Sequence, residues 1–306
     1  MSKKPLVSVI MNCYNSDTYL KEAIDSIITQ TYTNWEIIFW DNQSTDNSAN
    51  IVKSYNNERI KYFYAPTHTT LGEGRNKALE QSKGELISFL DCDDIIANEK
   101  IELQVKEFLI DESVGFIYSN GARIDKNGQI KTPFYRRKSK PSGFILKDTL
   151  KSYDIYIPSV MFKKNIVIDN KIIFNKNYKY IEEYDFFLRI LYFTKAKYIH
   201  EKVSFWRVHE NSTTWNNYEN FIDEREDFID NFFIGDMKKV YKDEILSIKE
   251  LNLFQQSLVL WKKNDSAIEI IKPLRFKKLK YFLLYLLMHI RYEKVYPLII
   301  KFKYMK

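Results

Sequence analysis

Three carboxylates crowd one short stretch, Asp91-Cys92-Asp93-Asp94, directly after the apolar run Leu86 to Leu90. On an extended backbone Asp91 and Asp93 face one side and Asp94 the other. Two hard oxygen donors at that spacing suit Mg2+ or Mn2+ shared with a diphosphate. A cation so held would neutralise charge on a departing phosphate. A turn followed by a helix cap would use the same residues, so the segment alone leaves both readings open. Other polar groups stand behind other apolar runs, in Asn12-Cys13-Tyr14-Asn15 and in Asp41-Asn42-Gln43-Ser44-Thr45-Asp46. Glu182, Glu183 and Asp185 open an amphipathic segment, where a carboxylate either acts as a general base or favours a helix N-terminus through its dipole.

The elements that must position these groups alternate between two periods. Val7 to Met11, Glu36 to Trp40, Ile60 to Tyr64 and Leu86 to Leu90 are short β-rich runs and predict strands. Leu20, Ala23, Ile24, Ile27 and Ile28 recur at helical spacing behind the capping candidates Ser16 and Asp17. Further helices are expected through Ile51, Val52 and Tyr55, after Gly74, and from Asn98 to Ile110, with a strand over Phe116 to Ser119. Such alternation implies a parallel sheet covered on both faces, with ligands beyond the carboxyl ends of its strands. Lys126 to Gly143 reads as a loop or domain junction, Ile155 to Phe162 as a strand and Glu182 to Phe193 as a helix. From Tyr218 the pattern is helical, with further helices over Tyr241 to Trp261 and Phe276 to Tyr292.

Composition narrows the classes. The chain has 306 residues, 45% hydrophobic and 28% charged, which is globular and excludes a fibrous or disordered chain. Its aromatic share of 16% can fill a large core. Two cysteines, Cys13 and Cys92, make no disulfide framework and read as small buried side chains. With no signal peptide in front, the expectation is a cytoplasmic protein. The longest apolar run, Phe282 to Met288, is far short of the ~20 residues that span a bilayer. The net charge is +7, yet Arg275 to Lys306 alone hold nine Lys and Arg against Glu293, so the remaining residues sum to −1. A nucleic-acid binder would carry its positive charge on the folded body, which disfavours that class.

Taken in order, Val7 to Asn15, Asp41 to Ser48, Gly74-Arg75-Asn76, Phe89 to Asp94, Glu182 to Arg189 and Trp206 to Ser212 resemble the family 2 glycosyltransferases of the GT-A fold. The resemblance covers roughly residues 5 to 215. It implies a Rossmann-like, mostly parallel sheet flanked by helices over residues 1–215, with a nucleotide-binding half to about 120 and an acceptor half beyond it. A helical region follows over 216–306. It implies inverting transfer of a sugar from a nucleotide-diphosphate sugar, a UDP-sugar being expected, to a hydroxyl of a glycan or lipid-linked acceptor in surface polysaccharide or glycoconjugate synthesis. Carried over by position, Tyr14 and Asn15 lie near the nucleotide and Asp41 accepts from the base imide. Arg75 and Arg207 help hold the nucleotide sugar, and Asp91 and Asp93 form the D-x-D pair for Mn2+ or Mg2+. His209, one of four histidines, touches the metal or diphosphate. The family's catalytic base is the Asp of an E-D pair, and the matching residue here is Glu183. Either the acceptor pocket has adjusted to the longer side chain or Asp185 takes part. Asn12-Cys13 is a second departure, where the family often has Pro-Thr. Trp206 and Trp215 are candidates to stack on a sugar or to pack in a core.

Two rivals remain. A sugar-1-phosphate nucleotidyltransferase would need a Gly-rich loop after the first strand, and Asn12 to Asn15 contain no glycine. A non-catalytic nucleotide- or glycan-binding relative would suit the departures at Glu183 and Asn12-Cys13. The basic tail, with Phe276, Leu279, Leu283, Leu286, Leu287 and Ile290 at helical spacing, suits a helix lying on an anionic membrane surface, or one packed on the domain.

Overall fold

The computed structural model describes residues 4–134, 140–208, 218–263, 267–290 and 292. Two compact units emerge, Met1–Ser212 and Thr213–Lys306.

The first unit begins with strict alternation: β1 (Val7–Cys13), α1 (Asp17–Ile28), β2 (Trp35–Asp41), α2 (Ser48–Ser54), β3 (Ile60–Tyr64), α3 (Leu71–Gln81) and β4 (Leu86–Phe89). β3, β2, β1 and β4 lie side by side and all run parallel. Every residue of β2 is buried, as a central strand with both faces covered requires. Its buried Glu36 carboxylate accepts from the Ser8 hydroxyl at 2.6 Å and the Lys83 N–H at 2.7 Å. α3 starts at Thr70, whose hydroxyl accepts the Glu73 N–H and so caps the helix.

The second stretch is mixed. After β5 (Ile95–Ile96), α4 (Lys100–Ile110) and β6 (Val114–Ile124) come β7 (Ile130–Pro133), α5 (Leu146–Lys151) and β8 (Val160–Lys163). α6 (Lys164–Asp169), α7 (Glu182–Phe193) and β9 (Lys195–Arg207) complete the unit. β8 pairs antiparallel with both β4 and β6, joining the two halves of a sheet ordered β3-β2-β1-β4-β8-β6-β9-β5, and β7 pairs with β6. β6 and β9 run parallel through a register with three shifts. They touch so closely that a Cβ on Gly121 would stand 2.0 Å from the Ser204 carbonyl oxygen and 2.5 Å from the Phe134 ring.

Several elements differ from expectation. The strand expected over 116–119 is the longer β6, and the 126–143 loop contains β7. Residues 157–159, with Pro158 at their centre, form a 3-10 turn, so the strand expected over 155–162 starts only at Val160. β9 had no counterpart in the sequence pattern.

One core cluster fills the space between β1, β2, α1 and α4, with Val9, Ile37, Phe39, Leu20, Ile24 and Phe108 among its buried members. Under α7 lies an aromatic group in which Phe174 and Phe186 stack at 3.8 Å and Phe89 meets both edge-on. It fixes the helix that carries the Glu182-Glu183 pair.

The second unit holds α8 (Tyr218–Phe232), α9 (Met237–Val240), α10 (Lys242–Lys262), α11 (Ile268–Ile271) and α12 (Leu279–Leu287). Trp261, Ala267, Ile271, Leu274, Tyr281, Leu284 and Met288 form its core cluster. No helix of the described residues is long and apolar enough to cross a membrane.

Candidate active site

The parallel register sets the carboxyl ends of β1, β2 and β4 next to one another. Beyond β1, Asn15 turns the chain with φ 49, its Oδ1 accepting the Thr45 N–H at 2.7 Å while its own N–H donates to the Ser44 hydroxyl. That turn presents the Tyr14 ring at the surface, 4.4 Å from the ring of His68. Beyond β2, Asp41 is buried with both oxygens engaged. Oδ1 accepts the Ser44 N–H at 2.7 Å and Oδ2 accepts the Tyr62 hydroxyl at 2.6 Å. Burial and this carboxylate push the Tyr62 phenol well up. Asn42 then ties the β2 end to the loop before α3, donating to the Thr69 carbonyl and accepting its N–H.

Arg75 is the hub. Its side chain is 3% exposed, and its guanidinium donates to Asp91 Oδ1 at 3.2 Å and to Glu182 Oε1 at 2.9 Å. Three separate segments, α3, the end of β4 and the start of α7, are thereby held together. Asp91 keeps 37% of its side chain open. Burial raises its carboxyl, Arg75 offsets part of that, and the charge of Asp93 adds to it. Asp94 faces inward: Oδ1 accepts the Arg207 N–H at 2.8 Å, and among the described residues Oδ2 has no partner. Burial first, then Asp93 and Asp91, hold its carboxyl well above the carboxylate range.

Arg207 is a rivet. Its guanidinium is fully buried and donates to the Asp93 carbonyl, to the carbonyls of Asp125 and Lys126, and to Glu22 Oε2 at 2.7 Å. It also lies 4.3 Å from the Tyr19 ring centre. Its backbone and side chain both clamp the acidic loop against α1 and the β6–β7 hairpin.

On α7, burial pushes the Glu183 carboxyl up to about 8 against the pull of Arg75, with Glu182 and Asp91 pushing the same way as burial. Asp185 lies about 200° around the helix from Glu183. It accepts from Arg189 Nε at 2.8 Å and lines a cleft with Asn76, Asn175 and Arg189. Trp206 packs near Tyr156 and under Arg123. His209 and Trp215 lie outside the described residues.

Thus Tyr14, Asn15, Asp41, Arg75, Asp91, Asp93 and Glu183 gather at one rim, whereas Asp185 faces elsewhere. Both arginines have their guanidinium groups on protein acceptors rather than open to solvent. Cys13 and Cys92 are both buried and free, and a hydrogen bond between the thiols lowers that of Cys13 to about 7.

Three residues have roles that the sequence pattern did not show. Glu182 is the buried partner of Arg75, Glu22 is the exposed carboxylate that pairs with the buried Arg207, and among the described residues neither polar atom of the Asn12 amide has a partner. Asn12 sits beside Gly74, where a Cβ would come within 2.9 Å of its Nδ2. An Asn in place of the expected Pro-Thr was the only signal, and it pointed only to a departure.

Among the described residues no three His, Cys, Asp or Glu side chains stand ready as a metal cage. Asp91 and Asp93 offer a partial one: two hard oxygen donors whose like charges disturb each other, as a divalent ion would relieve.

The parallel half-sheet, its mixed extension and the acidic loop at the carboxyl ends define a GT-A glycosyltransferase. The model of "Glycosyl transferase family 2" matches residues 8–168, and the chain belongs to that family. It is 32% identical to an uncharacterized glycosyltransferase of Haemophilus influenzae, over 78% of this chain and 93% of that one. It is 35% identical to the Escherichia coli UDP-Glc:alpha-D-GlcNAc-diphosphoundecaprenol beta-1,3-glucosyltransferase WfgD, over 40% of this chain and 48% of that one. Among solved structures, the mannosyltransferase PcManGT of Pyrobaculum calidifontis in complex with GDP-Man and Mn2+ superposes with a TM-score of 0.63 at 16% identity. That match covers 92% of this chain and 79% of that one.

Proposed function

We propose that this protein is an inverting glycosyltransferase that moves a sugar from a UDP-sugar to a hydroxyl of a glycan or lipid-linked acceptor in polysaccharide synthesis. The carrying observation is the buried Arg75 bridge, which holds the loop of Asp91 and Asp93 against the helix of Glu183. Donor end and acceptor end of a transfer reaction are thus kept in one rigid frame. The name of WfgD supports a UDP donor and a lipid-linked acceptor.

The two halves divide the work, residues 1–120 binding the nucleotide and 121–215 the acceptor, with 216–306 as a helical appendage. Tyr14, with His68 behind it, offers a ring to the base. Asp41 and Asn15 shape the turn below that ring. Asp91 and Asp93 would hold Mn2+ or Mg2+, which when bound supplies Lewis-acid stabilisation of the departing diphosphate. Arg75 and Arg207 keep those carboxylates in position.

Glu183 takes the proton of the acceptor hydroxyl as its oxygen attacks the anomeric carbon from the face opposite the leaving diphosphate. A carboxyl pushed up to about 8 is a stronger base than an exposed one, and positioned proton transfer is worth ~10²–10⁴ in rate. Asp185, held by Arg189, supports the helix instead.

Release of UDP from candidate UDP-sugars in the presence of Mn2+ tests this reading. Wild type turns over with at least one donor, and Asp93→Asn and Glu183→Gln each lose at least about a hundredfold. Unchanged turnover in Glu183→Gln would leave the protein without its base, and no turnover with any donor would favour a binding protein. Lipid-linked acceptors also lie at membranes, so we place the protein at an anionic membrane surface, reached through the basic residues of 275–306.

A further inference from the structure

The second unit contains a helix that is apolar on two opposite sides. One side of α12, with Tyr281 and Leu284, and Met288 just beyond, is buried against Trp261, Ile271 and Leu274. Among the described residues the other side is open. Leu279 is 74% exposed, Leu283 50% and Leu286 48%, while Phe276, just ahead of the helix, reaches 79%. At about 100° per residue Leu279, Leu283 and Leu286 fall within one stripe, roughly opposite the buried side, with Phe276 just before the helix and Ile290 just after it. Leucines this open and this aligned form a contiguous patch of the kind that marks an interaction surface.

Positive charge borders the stripe. Lys272, Lys277 and Lys278 are each about half exposed, and the Arg275 guanidinium lies 4.5 Å over the Phe276 ring. Among the described residues their acidic partners are Glu250 and Glu269, so four cations face two carboxylates. An apolar stripe with a cationic margin matches a lipid surface, where side chains enter the acyl boundary and the cations meet anionic headgroups.

We propose that the stripe Leu279, Leu283 and Leu286, flanked by the exposed Phe276 and Ile290, is the surface by which this protein docks on an anionic membrane, with α12 lying in the plane of the headgroups. This rests on the membrane placement proposed above and assigns it to one side of one helix. The buried side stays with its own unit, so docking requires no unfolding.

The test is flotation of the full chain with vesicles of phosphatidylcholine alone or mixed with phosphatidylglycerol. Wild type floats with the anionic vesicles and stays behind with the neutral ones. Leu279→Glu/Leu283→Glu/Leu286→Glu lowers the floated fraction at least about tenfold, because it places three charges where apolar area was to be buried. As all three side chains are exposed, its melting temperature stays near that of wild type. A second variant, Leu283→Trp, gives a blue-shifted emission on adding anionic vesicles, independently of the triple variant. Equal flotation of the triple variant, or a Leu283→Trp emission that vesicles do not shift, overturns the proposal. So does a wild-type dimer that the triple variant splits without any flotation, since the stripe then joins two copies. UDP release measured without vesicles keeps the two readings apart. Turnover with no docking sinks this proposal alone, and docking with no turnover sinks the transfer reading alone.

Discussion

The guanidinium of Arg75 reaches the carboxylate of Glu182, 107 residues further along the chain, at 2.9 Å, with both side chains under 8% exposed. A buried ion pair of this kind gives little net stability against an apolar replacement, but breaking it from one side leaves a bare buried charge. Arg75→Met should therefore cost roughly 3–5 kcal/mol in urea unfolding. Most of that comes from Glu182, since Asp91 is over a third open and its loss is screened. The double variant Arg75→Met/Glu182→Leu should recover much of the loss. An equal or larger loss in the double variant would show that the pair holds the fold by something other than charge.

As the proposed base, Glu183 would set opposite demands on catalysis and on stability. Its carboxyl is raised to about 8, so the base form grows in, and kcat/KM climbs, as pH rises through that value. Stability runs the other way. The folded value lies above the unfolded one, so this group's contribution is whole below about 4.3 and is lost as pH rises through about 8. Glu183→Gln should then be more stable than wild type above pH 8, by roughly 2–4 kcal/mol, while losing turnover. Melting curves at pH 5 and pH 9 check the sign: the gain appears only at the higher pH.

Lys100 is a second buried titrating group, remote from the proposed chemistry. Its ammonium is fully buried, donates to the Ser88 hydroxyl at 2.8 Å and is lowered by burial to about 7. The folded value lies below the unfolded one, so the unfolded chain binds the extra proton between about 7 and 10.4, and stability rises with pH across that window. Lys100→Met, similar in volume, should stabilise the protein at pH 7 by roughly 2–4 kcal/mol and flatten that rise. Denaturant midpoints at pH 7 and pH 9.5 measure both effects. A less stable variant at pH 7 would mean the Ser88 bond outweighs the buried charge.

Gly121 has no room for a methyl group. An added Cβ would sit 2.0 Å from the Ser204 carbonyl oxygen, so Gly121→Ala must push β6 and β9 apart. The expected loss is at least ~3 kcal/mol, read as a fall in melting temperature or in soluble yield. A neutral substitution would show that the two strands are free to separate.

Much of the frame was legible because periodicity reports burial. β1, β2 and β4 are nearly continuous apolar runs, as strands covered on both faces must be, and α1 and α7 show their buried stripes at helical spacing. β9 hid because its 13 residues mix Lys195, Lys197, Glu201 and Lys202 with apolar groups, and its alternation breaks where the register to β6 shifts. The acidic rim was visible as residue types at strand ends. Its wiring was not. Nothing in the spacing of Asp41 tells that the Tyr62 hydroxyl of the neighbouring strand occupies its Oδ2, nor that Arg75 and Arg207 turn inward to hold carboxylates. Such partners are chosen by tertiary contact across tens of residues, which local pattern cannot encode.

The clamp on the acidic loop is delivered by the last residue of β9. During synthesis the chain emerges from its amino end, and the first four strands can assemble while that residue is still inside the ribosome. Until Arg207 emerges, Asp94 lacks the backbone N–H it is built to accept, and the loop bearing Asp91 and Asp93 lacks its anchor to α1. A nascent chain stalled at residue 168 would thus hold its acidic loop without that anchor.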